Sequence, residues 1–355
     1  MHSNLDLSEL ESKIGSLFMA GMPGTILDHD TDNLIRTRYL GGLILFKRNI
    51  ENPVQLASLC NDIQKRALKY HGIPLFLAID QEGGPVARLP GPFTRFPGNS
   101  AIGEDEQPVN KAEEFARITA REMSLVGLNM NLAPVLDVPR GKPEKHLAGR
   151  TFGNDPVKVA LLGRTVIKTL QKNGVMSVAK HFPGLGLTPE DPHHQLPTID
   201  FTLDEMESTD LPPFISAISE SVSGVMTSHA VYPALDPVRP ATISKTIITG
   251  LLRQKLNFQG LIITDDMEMG AVEKKWGTVS GSLSAFEAGA DILLICKDQA
   301  KVIKAMDMLK QKFLRNEISM QRLLASLERI GKAKAKFLGR PSPVSPEDVQ
   351  AYFNL

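Results

Sequence analysis

The strongest constraint on this chain is a series of eight short apolar runs, each about as long as a β-strand and spread over most of its length. They are IGSLFMAG (14–21), GLILF (42–46), LFLAID (75–80), NMNLAP (129–134), VMSVAK (175–180), GVMTSH (224–229), LIITDD (261–266) and DILLIC (291–296). Apolar residues follow one another within each run instead of alternating with polar ones, the pattern of strands covered on both faces in a parallel sheet. Between the runs lie stretches of helical periodicity, at 54–70, 110–125, 155–173, 244–256 and 282–289. Eight strands alternating with helices predict an α/β fold, a TIM-like (β/α)8 barrel. An open doubly wound sheet is the other architecture such alternation allows, but no glycine fingerprint of a dinucleotide site follows the first run. Residues 299–337 read as further helices packed outside. A single-domain barrel is expected over 1–340 and a C-terminal tail over 341–355, with no repeat, low-complexity tract or linker marking a second domain.

Composition narrows the function. Hydrophobic residues make up 42% of 355, enough for a sizeable core, and forty basic side chains cancel forty acidic ones. That balance argues against nucleic acid or an anionic membrane as the main partner. A small, largely uncharged molecule held by local polar groups fits better, and a monomer is expected. Cys60 and Cys296 stand in apolar or helical surroundings and read as buried free thiols. The segment MHSNLDLSELESKIG has acidic residues and lacks the apolar core of a signal peptide, and no run approaches the roughly 20 residues of a membrane span. A cytoplasmic location is expected.

Polar residues collect where the apolar runs stop: Asp80, Asp137, Lys180-His181, His229 and Asp265-Asp266. In a barrel the C-terminal strand ends form one face, so these residues converge there. Of Asp265 and Asp266, one can be a nucleophile while the other caps a helix or binds a neighbouring cation. Strand alternation places them on opposite sides without deciding which faces the mouth. The loop KHFPGLGLTPEDPHHQLP (180–197) is broken by prolines and glycines and contains Asp191-Pro192-His193-His194. A residue before proline is pushed toward extended backbone, where positions i and i+2 share a side. Asp191 is therefore expected to orient the ring of His193 as an acid/base, with His194 turned away and Gly184 and Gly186 as hinges. No HxH or HExxH spacing supports a metal site built from His181, His193, His194 and His229, so no metal is expected. Lys180 as a Schiff-base lysine of a barrel aldolase also fits these residues.

Several longer motifs narrow this further. DQEGGPVARLPGPFTRFPG (80–98), GRTFGNDP (149–156), KHFPGLG (180–186), MTSHAVYPALDPVRPATIS (226–244) and ITDDMEM (263–269) occur in this order, and GGLILFKRNI (41–50) precedes them. In this the chain resembles the β-N-acetylglucosaminidases of glycoside hydrolase family 3, above all the single-domain NagZ type, from about residue 14 to 296. The resemblance implies a retaining exo-glycosidase on a TIM-like barrel that uses no cofactor and removes terminal N-acetylglucosamine, with cell-wall turnover fragments as the expected substrates. It implies that Asp265 is the nucleophile and that Asp191 and His193 are the acid/base dyad. It further implies that Asp80, Arg88, Arg150, Lys180 and His181 bind the sugar hydroxyls, with His229 in a supporting role. A retaining mechanism needs a carboxylate near the anomeric carbon and a second group that protonates the leaving oxygen and then deprotonates water. The resemblance implies that here that group is a histidine held by an aspartate.

Two positions depart from the family pattern: Leu185 replaces a histidine often found in KHFPGHG, and Pro192 replaces a serine common in the dyad. The first removes a polar group; the second removes a backbone donor and stiffens the loop, so altered loop motion with the dyad still in use is expected. A β-N-acetylglucosaminide phosphorylase, a β-glucosidase and a non-catalytic sugar-binding protein are alternatives on the same barrel.

Overall fold

The computed structural model describes residues 7–140, 146–188, 191–339 and 342–355. All eight apolar runs form strands: β1 (Phe18–Gly21), β2 (Gly42–Leu45), β3 (Phe76–Ile79), β4 (Met130–Asn131), β5 (Met176–Phe182), β6 (Gly224–Thr227), β7 (Leu261–Thr264) and β8 (Leu293–Ile295). Each pairs in parallel with its sequence neighbour, and β1 also pairs with β8 through Phe18–Leu293 and Ala20–Ile295. A bridge between Ile263 and Ile292 joins β7 to β8, so the sheet comes round nearly to a closed barrel. The barrel residues are buried throughout, which is why the runs do not alternate.

β4 is shorter than its run because Pro134 has no N–H to give the ladder. Side-chain amides continue the pairing: Leu77 N donates to Asn129 Oδ1 (2.8 Å), and Gln81 N donates to Asn131 Oδ1 (3.0 Å) while Asn131 Nδ2 donates back to Gln81 O (3.0 Å). β5 by contrast runs on through Lys180 and His181, which therefore sit on rigid strand backbone.

The expected helices form around the sheet, and their starts are written in the sequence. Asn52 caps Pro53–His71 and Asp155 caps Pro156–Lys172, each with proline at the first turn, where a missing N–H costs nothing. Pro108–Leu125, Thr278–Ala288 and a helix of π geometry at Thr246–Lys255 fill the other expected positions. Gln299–Leu314 and Met320–Phe337 close the outside. The segment expected as a tail carries a helix, Pro346–Phe353, which docks on the barrel. Val349 is fully buried there, Phe353 meets Phe93 edge-on with ring centroids 4.8 Å apart, and Asn61 exchanges two hydrogen bonds with the Val344 backbone. Among the described residues no helix is long and apolar enough to cross a membrane. Cys60 and Cys296 are free and buried, and burial pushes both thiols up.

Candidate active site

At the C-terminal ends of the strands a cavity of about 530 Å³ opens. Asp80 after β3, Arg88, Asp191 and His193 on the long loop, and Asp265 after β7 all line it. Residues far apart in sequence thus meet on the face the barrel geometry predicts.

Asp191 and His193 form the expected pair, with Nδ1 of the ring 2.7 Å from Asp191 Oδ1. Their route to contact differs from the expected extended segment. The backbone turns tightly: the N–H groups of His194 and Gln195 both donate to the Asp191 carbonyl, and His193 N donates to Asp191 Oδ1 (3.0 Å). Proline at 192 is compatible with this turn, which needs no donor from that position, and His194 lines the cavity too instead of pointing away. The ring of His193 is 60% exposed, so it has access to water. Burial raises the Asp191 carboxyl, but the hydrogen bonds from His193 outweigh it and hold the group below its ordinary range.

The loop is tied down on both sides. Gly270 N and Ala271 N donate to the carbonyls of His193 and Pro192, and Lys274 Nζ donates to His194 O (2.6 Å). Gly184 and Gly186 have a packing reason to be glycine. A Cβ at Gly186 would sit 1.8 Å from Val138 O, and one at Gly184, where φ is +137°, would sit 2.9 Å from Asp210. Leu185 is buried, and its backbone N–H donates to Asp137 Oδ1 (2.8 Å).

Asp265 and Asp266 separate by function. Asp266 Oδ1 accepts from the N–H groups of Glu268 (3.0 Å) and Cys296 (3.2 Å) and so shapes the turn between β7 and the next helix. Burial raises its pKa to about 6, with Asp265 and Glu268 adding to the rise. Both aspartates line the cavity; among the described residues Asp265 accepts one hydrogen bond, from Asp266 N (2.8 Å). Burial would raise this carboxyl too, but His229, His181 and Lys180 more than offset it, so Asp265 stays ionised. His229 is fully committed: Nε2 meets the Asp266 carbonyl at 3.0 Å and Nδ1 meets Thr242 Oγ1 at 2.7 Å. It holds the backbone on which Asp265 stands, and burial lowers its own pKa.

The remaining predicted residues form a buried ionic layer joined to the cavity wall. Lys180 Nζ lies 2.7 Å from Asp80 Oδ1 and 2.6 Å from Glu82 Oε1. Arg150 clasps Glu82 with two parallel bonds of 2.8 and 2.9 Å, and Arg88 Nη2 lies 3.6 Å from Asp80 Oδ2. Burial raises Asp80, but Lys180 and Arg88 bring it below its ordinary range; Lys180 and Arg150 do the same for Glu82. Burial lowers Lys180, but its two carboxylates more than reverse that. A lysine held protonated in this way is a poor amine nucleophile, which removes the Schiff-base reading. His181 Nδ1 donates to Asp137 Oδ2 (2.8 Å), which leaves Nε2 as the ring's other polar position. Arg150, Lys180 and His181 are not among the residues that line the cavity; Lys180 meets it through Asp80.

Glu82 is the residue the sequence reading missed. It is 1% exposed and anchors two of the expected sugar ligands. The signal was present as a charged residue in the glycine turn DQEGGP. Gly83 and Gly84 take φ of +86° and +58° there, folding Gln81–Gly83 back on Val86–Ala87 and turning Glu82 inward.

Comparisons with known proteins give the chain's family. The model for the glycosyl hydrolase family 3 N-terminal domain matches residues 9–333. β-Hexosaminidase A of Pseudoalteromonas piscicida is 36% identical over 334 residues, 88% of this chain, and the chain spans 56% of that relative's length. The β-hexosaminidase of Pseudomonas aeruginosa is 35% identical over 297 residues, covering 84% of this chain and 87% of that one. The structure of NagZ from Neisseria gonorrhoeae in complex with N-trifluoroacetyl-D-glucosamine superposes with a TM-score of 0.79 at 31% identity, over 96% of this chain and 93% of that one. A match over nearly the whole barrel, to relatives that are themselves β-hexosaminidases, identifies the chain as a glycoside hydrolase of family 3.

Proposed function

We propose that the protein is a retaining exo-β-N-acetylglucosaminidase that removes terminal N-acetylglucosamine from β-linked glycosides, including peptidoglycan turnover fragments in the cytoplasm. The observation that carries this reading is that one cavity is lined by both an ionised carboxylate, Asp265, and an imidazole oriented by a carboxylate, His193 with Asp191. Those are the two roles a double displacement needs.

In the first step an Asp265 oxygen attacks the anomeric carbon while His193 gives its Nε2 proton to the glycosidic oxygen. The carbon–oxygen bond breaks, the aglycone leaves as an alcohol, and the sugar is held as an ester of Asp265. Neutral His193 then takes a proton from water, whose oxygen attacks the anomeric carbon and frees the Asp265 carboxylate. Asp191 occupies Nδ1 throughout, so the same nitrogen delivers and recovers the proton. In this reading Asp80 and Arg88 bind hydroxyls at the wall, supported by Lys180, Arg150 and His181; charge-assisted bonds of this kind are roughly twice as strong as neutral ones.

The test is hydrolysis of an aryl N-acetyl-β-glucosaminide, with the product anomer followed by NMR. The β-anomer is expected first, and Asp265→Asn is expected to lower turnover by more than about 1,000-fold. Release of the α-anomer, or near wild-type turnover in the variant, sinks the proposal. A muropeptide fragment and an aryl glucoside run beside it define the substrate range.

A further inference from the structure

At the other end of the barrel, where the strands begin, Lys334 stands alone in a second cavity. It lies near the end of helix Met320–Phe337 and is 8% exposed, and its Nζ sits over the ring of Phe76, the first residue of β3, 5.0 Å from the centroid. Among the described residues no carboxylate pairs with it, and burial alone lowers its pKa, to about 7. The other buried lysine, Lys180, has two carboxylates within 2.7 Å. A buried cation without a partner costs the fold energy, partly relieved by the aromatic ring.

The cavity above it holds about 610 Å³, and Tyr39, Leu40, Ile73, Pro74, Leu327 and Ile330 are among its walls. These walls are largely apolar, with one nine-tenths-buried amine opening into them. The titratable groups that share the cavity are His71 and Tyr70 from helix Pro53–His71, Tyr39 after helix His29–Arg38, and Lys13 from helix Leu7–Gly15. Lys13 is already paired with Glu9 at 2.7 Å. His71 is engaged by the Ile35 carbonyl, and burial, with Lys334 adding to it, lowers its pKa despite that bond, leaving it neutral at pH 7. Lys334 is therefore the group in this cavity that lacks an anion.

We propose that this cavity is a binding site for a small carboxylate with an apolar or aromatic body, the carboxylate meeting the Lys334 ammonium and the body lying among Tyr39, Leu40 and Ile73. The site is separate from the glycosidase cavity: its residues precede β1, β2 and β3 or lie on or just after helix Met320–Phe337, while Asp80, Asp191, His193 and Asp265 follow strand ends. Binding takes up a proton, because the anion favours the charged amine. Affinity is highest below the amine's own pKa and falls as pH rises through it.

Benzoate serves as the probe and benzamide as its uncharged counterpart, each titrated calorimetrically into the full chain at pH 6 and pH 8.5. Saturable benzoate binding at pH 6 is expected, weakening by about thirtyfold at pH 8.5 as the ammonium is lost. Benzamide is expected to bind at least about thirtyfold more weakly than benzoate at pH 6, and Lys334→Met to reduce benzoate binding by a similar factor. Absence of saturable benzoate binding at pH 6, benzamide binding as tight as benzoate, or undiminished benzoate binding in the variant overturns the proposal. The wild-type comparison of the two probes decides it even if Lys334→Met does not fold.

Discussion

Replacing Glu82 by glutamine tests whether Arg150 and Lys180, proposed to bind the sugar, depend on a residue that does not line the cavity. Glu82 is 1% exposed and serves Arg150 through bonds of 2.8 and 2.9 Å and Lys180 through one of 2.6 Å. Glutamine keeps the shape but offers one carbonyl oxygen and turns an amide N–H₂ toward a guanidinium or ammonium. Lys180 retains Asp80 at 2.7 Å. Arg150 keeps the His146 carbonyl at 2.8 Å, and Asp137 and Asp80 act on it from farther away, but among the described residues no other carboxylate is hydrogen-bonded to it. One buried charge, not two, therefore loses its paired carboxylate, and the cost is up to about 3–5 kcal/mol. That is a large share of the 5–15 kcal/mol typical of a folded domain. Glu82 is held below its ordinary 4.5, so its contribution is complete above that pH and is lost as pH falls through the lower folded value. Urea denaturation should show the full deficit of Glu82→Gln at pH 7.5 and a shrinking one below about pH 4.5. With an aryl N-acetyl-β-glucosaminide, kcat/KM should fall as well, because Arg150 is no longer fixed. A deficit under about 1 kcal/mol at pH 7.5 together with unchanged kcat/KM refutes the reasoning.

Two further perturbations separate the roles around the cavity. His193→Ala removes the proton donor and should lower kcat by about 10²–10⁴-fold on an alkyl glycoside, with a smaller loss on a nitrophenyl glycoside whose leaving group needs less protonation; equal losses on both count against His193 as the acid. Asp266→Asn keeps the acceptor for Glu268 and Cys296 but removes a charge whose pKa burial has raised from 3.8 to about 6. The ionised carboxylate burdens the fold above pH 6 and not below 3.8, so the variant should gain roughly 3 kcal/mol at pH 8 and nothing at pH 3.5. A pH-independent difference in urea midpoint tells against this account.

The barrel was legible because its signal is redundant. Eight runs of strand length, each buried on both faces, leave little choice of architecture, and caps such as Asn52-Pro53 and Asp155-Pro156 mark where helices start. The C-terminal helix was missed for the opposite reason. Pro346–Phe353 buries one residue fully, Val349, and is held by aromatic and backbone contacts to residues far away in sequence. Periodicity over eight residues carries little of that.

In the site, sequence reasoning found residue types at strand ends but not which of them support the others. Asp265 and Asp266 are adjacent and chemically identical, and alternation could say only that they diverge. The fold distinguishes them by what each accepts: two backbone N–H groups of a turn for Asp266, one for Asp265 beside His229, His181 and Lys180. Glu82 escaped notice because it follows the strand end by three residues, in a turn whose inward direction depends on two left-handed glycines.

The division of exposure in this cavity follows from what each group must do. A nucleophile has to stay ionised in a site dry enough for its charge to be felt, and burial alone would protonate it. Asp265 therefore draws on the charge of Lys180 among its neighbours, and Lys180 needs Asp80 and Glu82 in turn to keep that charge. The acid/base has to exchange protons with an arriving water once per turnover, so it cannot belong to that layer. His193 stands 60% exposed on a turn held by backbone bonds from Gly270 and Ala271, with Asp191 as its one charged hydrogen-bond partner among the described residues. A ring placed deeper would meet the burial that lowers the pKa of His229, which disfavours the protonated imidazole an acid has to present.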